Sequence, residues 1–468
     1  MINRDESLDA LRGFAILTMI LSGSIAYGDV MPAWMFHAQV PPPEHKFNPA
    51  IPGITWVDLV LPFFLFSMGA AIPLSLQKHI QSCKGFWFVL QIAAKRFLLL
   101  AFFALFTQHM KAWVIADNPG NREQLFSLLS FMLLFFQFYE NKNQNLKIYF
   151  QIAKIISFVT ALFLLWKLPF GGGKGFDFYR SDIIIMLLAN MAFFGTLICY
   201  FLPNMSLLRI GLLPFIMAVF LAAKEPADGW AKTLFNFNQI GNYKFDWLYK
   251  FYFLKYFFII IPGTLAGDML MNKAKPECSK LNERSIIMLM LITITVVIVN
   301  LYGLFTRMLF LNLLVSIVLC LSALYLLKNE VKDNLYKKLI QAGSYLLLLG
   351  LFFESYEGGI KKDSSTYSYY FVTSGLAFFT IVLFLIMAKK KYTSAIVNYF
   401  AMNGKNPMVA YVAGSLFILP LLKITQIKPY WDSMNQHFFM GLMKGILFTG
   451  LVSVITIFFV KRKWFWKT

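Results

Sequence analysis

Apolar runs long enough to cross a lipid bilayer recur along almost the whole chain, separated by short polar segments. A span needs about 20 predominantly apolar residues. On that measure candidate helices fall at 11–28, 54–76, 97–115, 125–140, 148–166, 183–202, 208–223, 248–271, 285–304, 309–327, 338–354, 369–388, 398–421 and 439–460. Some neighbours are joined by only a few residues, as at 203–207, so the pattern predicts an all-α, polytopic transmembrane helical bundle of about 11–14 spans. No composition shift, repeat or low-complexity tract divides the chain, and residues 1–468 read as a single integral membrane domain.

Composition agrees with the pattern. Of the residues, 58% are hydrophobic and 14% charged, against roughly 25% charged in soluble domains. A formal net charge of +20 would suggest nucleic acid if the basic residues formed a patch with stacking aromatics between them. They sit instead in short clusters between apolar runs, which argues against a nucleic-acid partner and makes them topology signals. With the N-terminus inside, inward loops hold Lys78, Lys84, Lys95 and Arg96, then Lys142 and Lys147, then Lys273, Lys275, Lys280 and Arg284. Lys328, Lys332, Lys337, Lys338, Lys389 to Lys391, and Lys461 to Lys463 continue the series. Outward loops carry fewer cations, among them Lys46, Lys111, Arg122, Lys361 and Lys362. Both chain ends are therefore expected in the cytoplasm. Arg4 and Arg12 before the first run resemble a signal peptide, but Asp5, Glu6 and Asp9 also precede it, so the run reads as a retained helix. Cys83, Cys199, Cys278 and Cys320 show no paired spacing, and neither a disulfide nor a metal site is expected.

The longest irregular segments, 29–53, 168–182, 224–247, 355–368 and 422–438, all fall on the outward side, where recognition is expected. The first holds His37 and His45 in a Pro-rich stretch, and Asp58 follows just inside the second span. An acid at that depth is costly without a partner or a watery cavity. A carboxylate beside a histidine fixes its tautomer and raises its basicity, as general-base chemistry requires. The plainer reading is two loop histidines and a helix-capping aspartate, and pattern alone leaves both open. Asn190 reads as an interhelical hydrogen bond or a substrate contact. Glu354 and Glu357 are candidates for lining a glycan site. Arg12, Lys95 and Arg96 read as interfacial anchors or phosphate contacts. The stretch Asn403-Gly404-Lys405-Asn406-Pro407 reads as a kink or an anion contact. Serine-nucleophile, HExxH and Walker motifs are absent.

Three blocks carry a family resemblance. Arg4-Asp5-Glu6-Ser7-Leu8-Asp9-Ala10-Leu11-Arg12-Gly13 resembles the R-x-x-S-L-D-x-L-R-G opening of the heparan-alpha-glucosaminide N-acetyltransferase family. Gly53-Ile54-Thr55-Trp56-Val57-Asp58 through Ser67-Met68-Gly69 and Gly404-Lys405-Asn406-Pro407 resemble two further blocks of it. The resemblance spans the whole chain and is closest to bacterial members, which implies the inner membrane. It implies an enzyme that moves acetyl from cytoplasmic acetyl-CoA to an amino sugar or glycan on the outer side, without a metal. Arg12, Lys95, Arg96 and Lys405 become candidate phosphate contacts. A histidine of the first outward loop is the family's catalytic group, and Asp58 matches the acid that follows it. The family spacing between the two is shorter than here, so His45 is the nearer candidate and His37 the second. Membrane lipid is an expected partner, and a homodimer follows only from the resemblance. Two other readings fit the same pattern: a sugar or lipid-linked sugar transporter or flippase, and an envelope glycan O-acyltransferase.

Overall fold

The computed structural model describes residues 6–81, 85–141, 144–226, 229–271, 282–329 and 334–468. Arg4, Asp5, Cys83, Lys84, Lys142, Lys273, Lys275, Cys278, Lys280 and Lys332 lie outside the described residues. Helices occupy all fourteen predicted positions. Among the described residues, ten are long and apolar enough to cross a membrane. Four others, Glu6–Ser22, Asn121–Phe138, Ser206–Ala222 and Leu335–Phe352, are 17 or 18 residues long and pack in the same bundle. The protein is an all-α, multi-pass membrane bundle; among the described residues the only sheet is a two-residue hairpin, Gln239–Ile240 with Tyr243–Lys244.

We label the first three long helices α1 (Glu6–Ser22), α2 (Val60–Gln81) and α3 (Phe86–His109). The span Tyr367–Lys389 is 83% buried inside the protein, whereas Lys147–Lys167 and Leu309–Leu326 are only 22% buried. The first is therefore an axis of the bundle and the other two present apolar faces outward. Apolar helices gain no hydrophobic contrast against lipid, so close contact depends on small residues. At the crossing of α1 with Ser394–Gly404, a Cβ on Gly13 would lie 1.8 Å from the Phe400 carbonyl oxygen, and one on Gly404 1.9 Å from that of Asp9. Glycine is the only residue that fits either position. Two separate sequence blocks, Arg12-Gly13 and Gly404-Lys405, thereby meet backbone to backbone.

Two expected boundaries move, with consequences for the site. The loop assigned to Lys95 and Arg96 is helix: α3 begins at Phe86, so both residues lie within it. The predicted span 398–421 is broken at Lys405–Asn406, between Ser394–Gly404 and Pro407–Val412. Pro407 takes the first helical position of the second piece, where its missing N–H costs nothing. Cys199 and Cys320 are free and buried.

Candidate active site

The first long loop folds back over one end of the bundle and is pinned at Thr55. This residue caps the turn Trp56–Leu59, and its hydroxyl donates to the Phe36 carbonyl oxygen at 2.6 Å. That contact lays residues 36–38 across Asp58. The Asp58 carboxylate accepts from His37 Nδ1 at 2.6 Å, from the Thr55 amide at 2.9 Å and from the Ala38 amide at 3.2 Å. Its side chain is 2% exposed, while that of His37 is 37% exposed. A carboxylate only accepts, so the pair keeps a proton on Nδ1 and leaves the Nε2 lone pair available. Tyr369 donates its hydroxyl proton to the Asp58 carbonyl oxygen at 2.8 Å and fixes the backbone beneath.

His37, not His45, is therefore the histidine at Asp58, which corrects the order expected from spacing. His45 packs its ring against Phe36 and Tyr27, with Nε2 at 2.9 Å from the Gly28 amide. Chain distance to Asp58 misled because the Pro-rich loop doubles back, bringing the more remote histidine home.

A second loop at the same end, 354–366, closes over the first. The Gly53 amide donates to the Ile360 carbonyl oxygen at 2.7 Å, and the Gln39 side chain bonds both the amide and the carbonyl of Asp363. Glu354 pairs with Arg307 and accepts from the Ile360 amide at 3.1 Å. Glu357 pairs with Lys224 at 2.8 Å, lies 3.9 Å from Lys255, and accepts from the Tyr367 amide. Neither glutamate lines the cavity, and each holds this loop in shape. Lys362, on the same loop, puts its ammonium 3.2 Å from His37 Nε2. The sequence marked it only as an outward lysine.

From His37 a single cavity of about 990 Å³ runs into the bundle. Along it stand Arg12, Arg96 and Lys405, the first hydrogen-bonded to the Ser67 carbonyl oxygen at 3.4 Å and paired with Asp9 at 3.3 Å. Ser67 is nine residues beyond Asp58, so Arg12 meets this helix about 14 Å of helical rise from Asp58. Lys95 is exposed and does not line the cavity. Asn190 donates to the Met186 and Leu248 carbonyl oxygens and likewise stays outside it. Residues 465–468 also line the cavity, and Asn406 clamps them by bonding the Trp464 carbonyl oxygen and the Trp466 amide. Arg12, Arg96, Lys250, Lys362, Lys405 and Lys467 line the cavity against one acidic side chain, Asp363, which suits an anionic ligand. Among the described residues no cluster of His, Cys, Asp or Glu has the makings of a metal site.

A family model described as "Domain of unknown function (DUF5009)" matches residues 4–270, 267 of the 468. The chain belongs to the DUF5009 family. No curated protein matches it significantly. The DUF5009 region contains His37, Asp58, Arg12 and Arg96, whereas Lys362 and Lys405 come from beyond it. The cavity needs both parts of the chain.

Proposed function

We propose that this protein is a transmembrane N-acetyltransferase, which carries acetyl from acetyl-CoA at the cationic part of the cavity to an amino sugar at His37. The observation that carries the reading is the single cavity lined by a carboxylate-oriented histidine and by Arg12, Arg96 and Lys405, with Arg12 about 14 Å along the helix from Asp58. Coenzyme A has that form: a polyanionic nucleotide at one end and a thioester at the other, joined by a thin arm able to cover such a distance. Phosphates cannot enter hydrocarbon unpaired, and Arg12, Arg96 and Lys405 supply their counter-charges.

The Lys- and Arg-rich ends of the helices, from Lys389 to Lys391 and at Lys461 to Lys463, lead us to place the cationic part toward the cytoplasm of a bacterial inner membrane. His37 then faces the outer compartment. In the reaction the acceptor amine attacks the thioester carbon while Nε2 takes its proton, and the departing thiolate receives a proton in turn. Asp58 keeps Nδ1 protonated throughout. If His37 instead accepts the acetyl group, a covalent acetyl-imidazole precedes attack by the amine.

The test is transfer from labelled acetyl-CoA to glucosamine by purified protein. We expect turnover by wild type and by His45→Ala, and none by His37→Ala. Incubation without glucosamine distinguishes the routes, because label retained on wild-type protein identifies the covalent one. An acceptor bearing only hydroxyls separates N- from O-transfer. No transfer and no acetyl-CoA binding by wild type would overturn the reading in favour of a sugar transporter.

A further inference from the structure

Among the described residues, Lys362 is the group within hydrogen-bond distance of the His37 ring that neither the reaction scheme above nor the family blocks account for. Its Nζ lies 3.2 Å from Nε2 and 3.3 Å from Nδ1. A point in the ring plane that far from both nitrogens would fall on the hydrogen of Cε1, so the ammonium stands over the ring face. That placement leaves the lone pair of Nε2 unobstructed.

The ammonium is held there by construction. The Lys362 carbonyl oxygen accepts from the Ser365 hydroxyl, and the Ser365 carbonyl oxygen accepts from Lys255. The Ser365 amide donates to the Tyr252 hydroxyl at 3.2 Å, and Asp363, next in the chain, is tied at both backbone groups to Gln39. Gln39 is two residues from His37. The same short clamp therefore fixes the ring and the cation relative to each other, and both residues line the cavity.

We propose that Lys362 is a second catalytic residue, the oxyanion-stabilising group of acyl transfer; this rests on the acetyltransferase reading above. When a nucleophile bonds to the thioester carbon beside Nε2, the carbonyl π pair moves onto oxygen and creates an alkoxide. One staggered position of that oxygen lies on the Lys362 side of the ring, within reach of an N–H donor. The alkoxide then re-forms its double bond, the C–S bond breaks, and the electron pair leaves on sulfur. Lys362 donates a hydrogen bond while the negative charge exists and keeps its own proton. A charged donor already oriented in a partly closed cavity needs no reorganisation as that charge appears.

The experiment compares wild type, His37→Ala, Lys362→Met and Lys362→Cys in the acetyl-transfer assay, with acetyl-CoA binding measured separately. Lys362→Met keeps the length of the side chain and removes the charge. We expect its kcat to fall about 10²–10³-fold, with KM for acetyl-CoA unchanged within about threefold. Lys362→Cys should be similarly impaired and regain most of its rate after alkylation with 2-bromoethylamine, which rebuilds an ammonium at lysine length. Wild type treated in parallel controls for the natural cysteines. Retention of more than about a third of wild-type kcat by Lys362→Met would overturn the proposal and leave the acetyltransferase reading intact. An aminoethylated variant that binds acetyl-CoA normally yet stays inactive would also overturn it. A wild type that transfers nothing removes both together.

Discussion

The two ends of the cavity are built by opposite means. At His37 the positions come from side chains and loops: a carboxylate with at least three donors, a capping threonine, and a loop clamped through Gln39. At Arg12 and Lys405 they come from helix backbones pressed together at Gly13 and Gly404, and Arg96 joins them from α3. The first arrangement fixes one imidazole to within a hydrogen bond, as proton transfer requires. The second sets several long cations around a space, which is what the proposed phosphate contacts need. Perturbations at the first end should therefore act on kcat, and those at the second on binding or assembly.

The largest effect is expected at the first end. Asp58→Asn puts an amide where His37 Nδ1–H needs an acceptor, so the imidazole loses its fixed tautomer. Acetyl transfer should fall by about 10²–10⁴-fold, measured as kcat with acetyl-CoA saturating. An equal rate in that variant would mean that Asp58 only caps the helix. Next is Gly404→Val, whose Cβ would meet the Asp9 carbonyl oxygen at 1.9 Å. Overpacking costs about 1–3 kcal/mol where neighbours can give way, and here they are backbone. A melting temperature at or near the wild-type value would show that this crossing tolerates bulk.

A smaller and different effect is expected of Arg96→Ala. Losing one charge-assisted contact, worth about 1.5–3 kcal/mol, should weaken acetyl-CoA binding by roughly ten- to a hundredfold and leave kcat little changed. Titration calorimetry and steady-state kinetics together check the split. A fall in kcat alone would erase the contrast between the two ends.

The clamp loop gives a pH signature. Burial works to raise the Glu357 carboxyl, but the hydrogen bond from Lys224 and the charge of Lys255 outweigh it and hold the group below its ordinary value. A depressed folded value stabilises above the unfolded one, and that stability is lost as pH falls through the folded one. Acidification from about pH 5 to about pH 3 should thus lower the melting temperature more in wild type than in Glu357→Gln. The smallest effect is expected of His45→Ala, which removes a packed ring outside the cavity. Its transfer rate should stay within about threefold of wild type, and a greater loss would return His45 to the reaction.

Much of this architecture is legible in the chain. Every predicted helix exists, because a segment crossing lipid must satisfy its own backbone and so announces itself by length and apolarity. Asp58 was legible for the same reason, as a carboxylate where carboxylates are costly. Arg96 was misplaced because a cation deep in a helix and a cation ending a loop give the same local pattern. The histidine was misordered because separation along the chain says nothing about a loop that reverses. Lys362 gave no signal of its own: it lies 325 residues from His37 and looks like any outward lysine.

The sequence by itself determined the class of solvent the protein lives in, which stretches of chain are helical, and the kinds of groups available for chemistry. These follow from local free energies of transfer and hydrogen bonding, which each segment carries alone. Only the tertiary structure decided which histidine meets Asp58, which cations share its cavity, and which lysine stands over the imidazole. Those choices depend on contacts between segments from 21 to 325 residues apart, set by close helix crossings and clasped loops that no local pattern encodes.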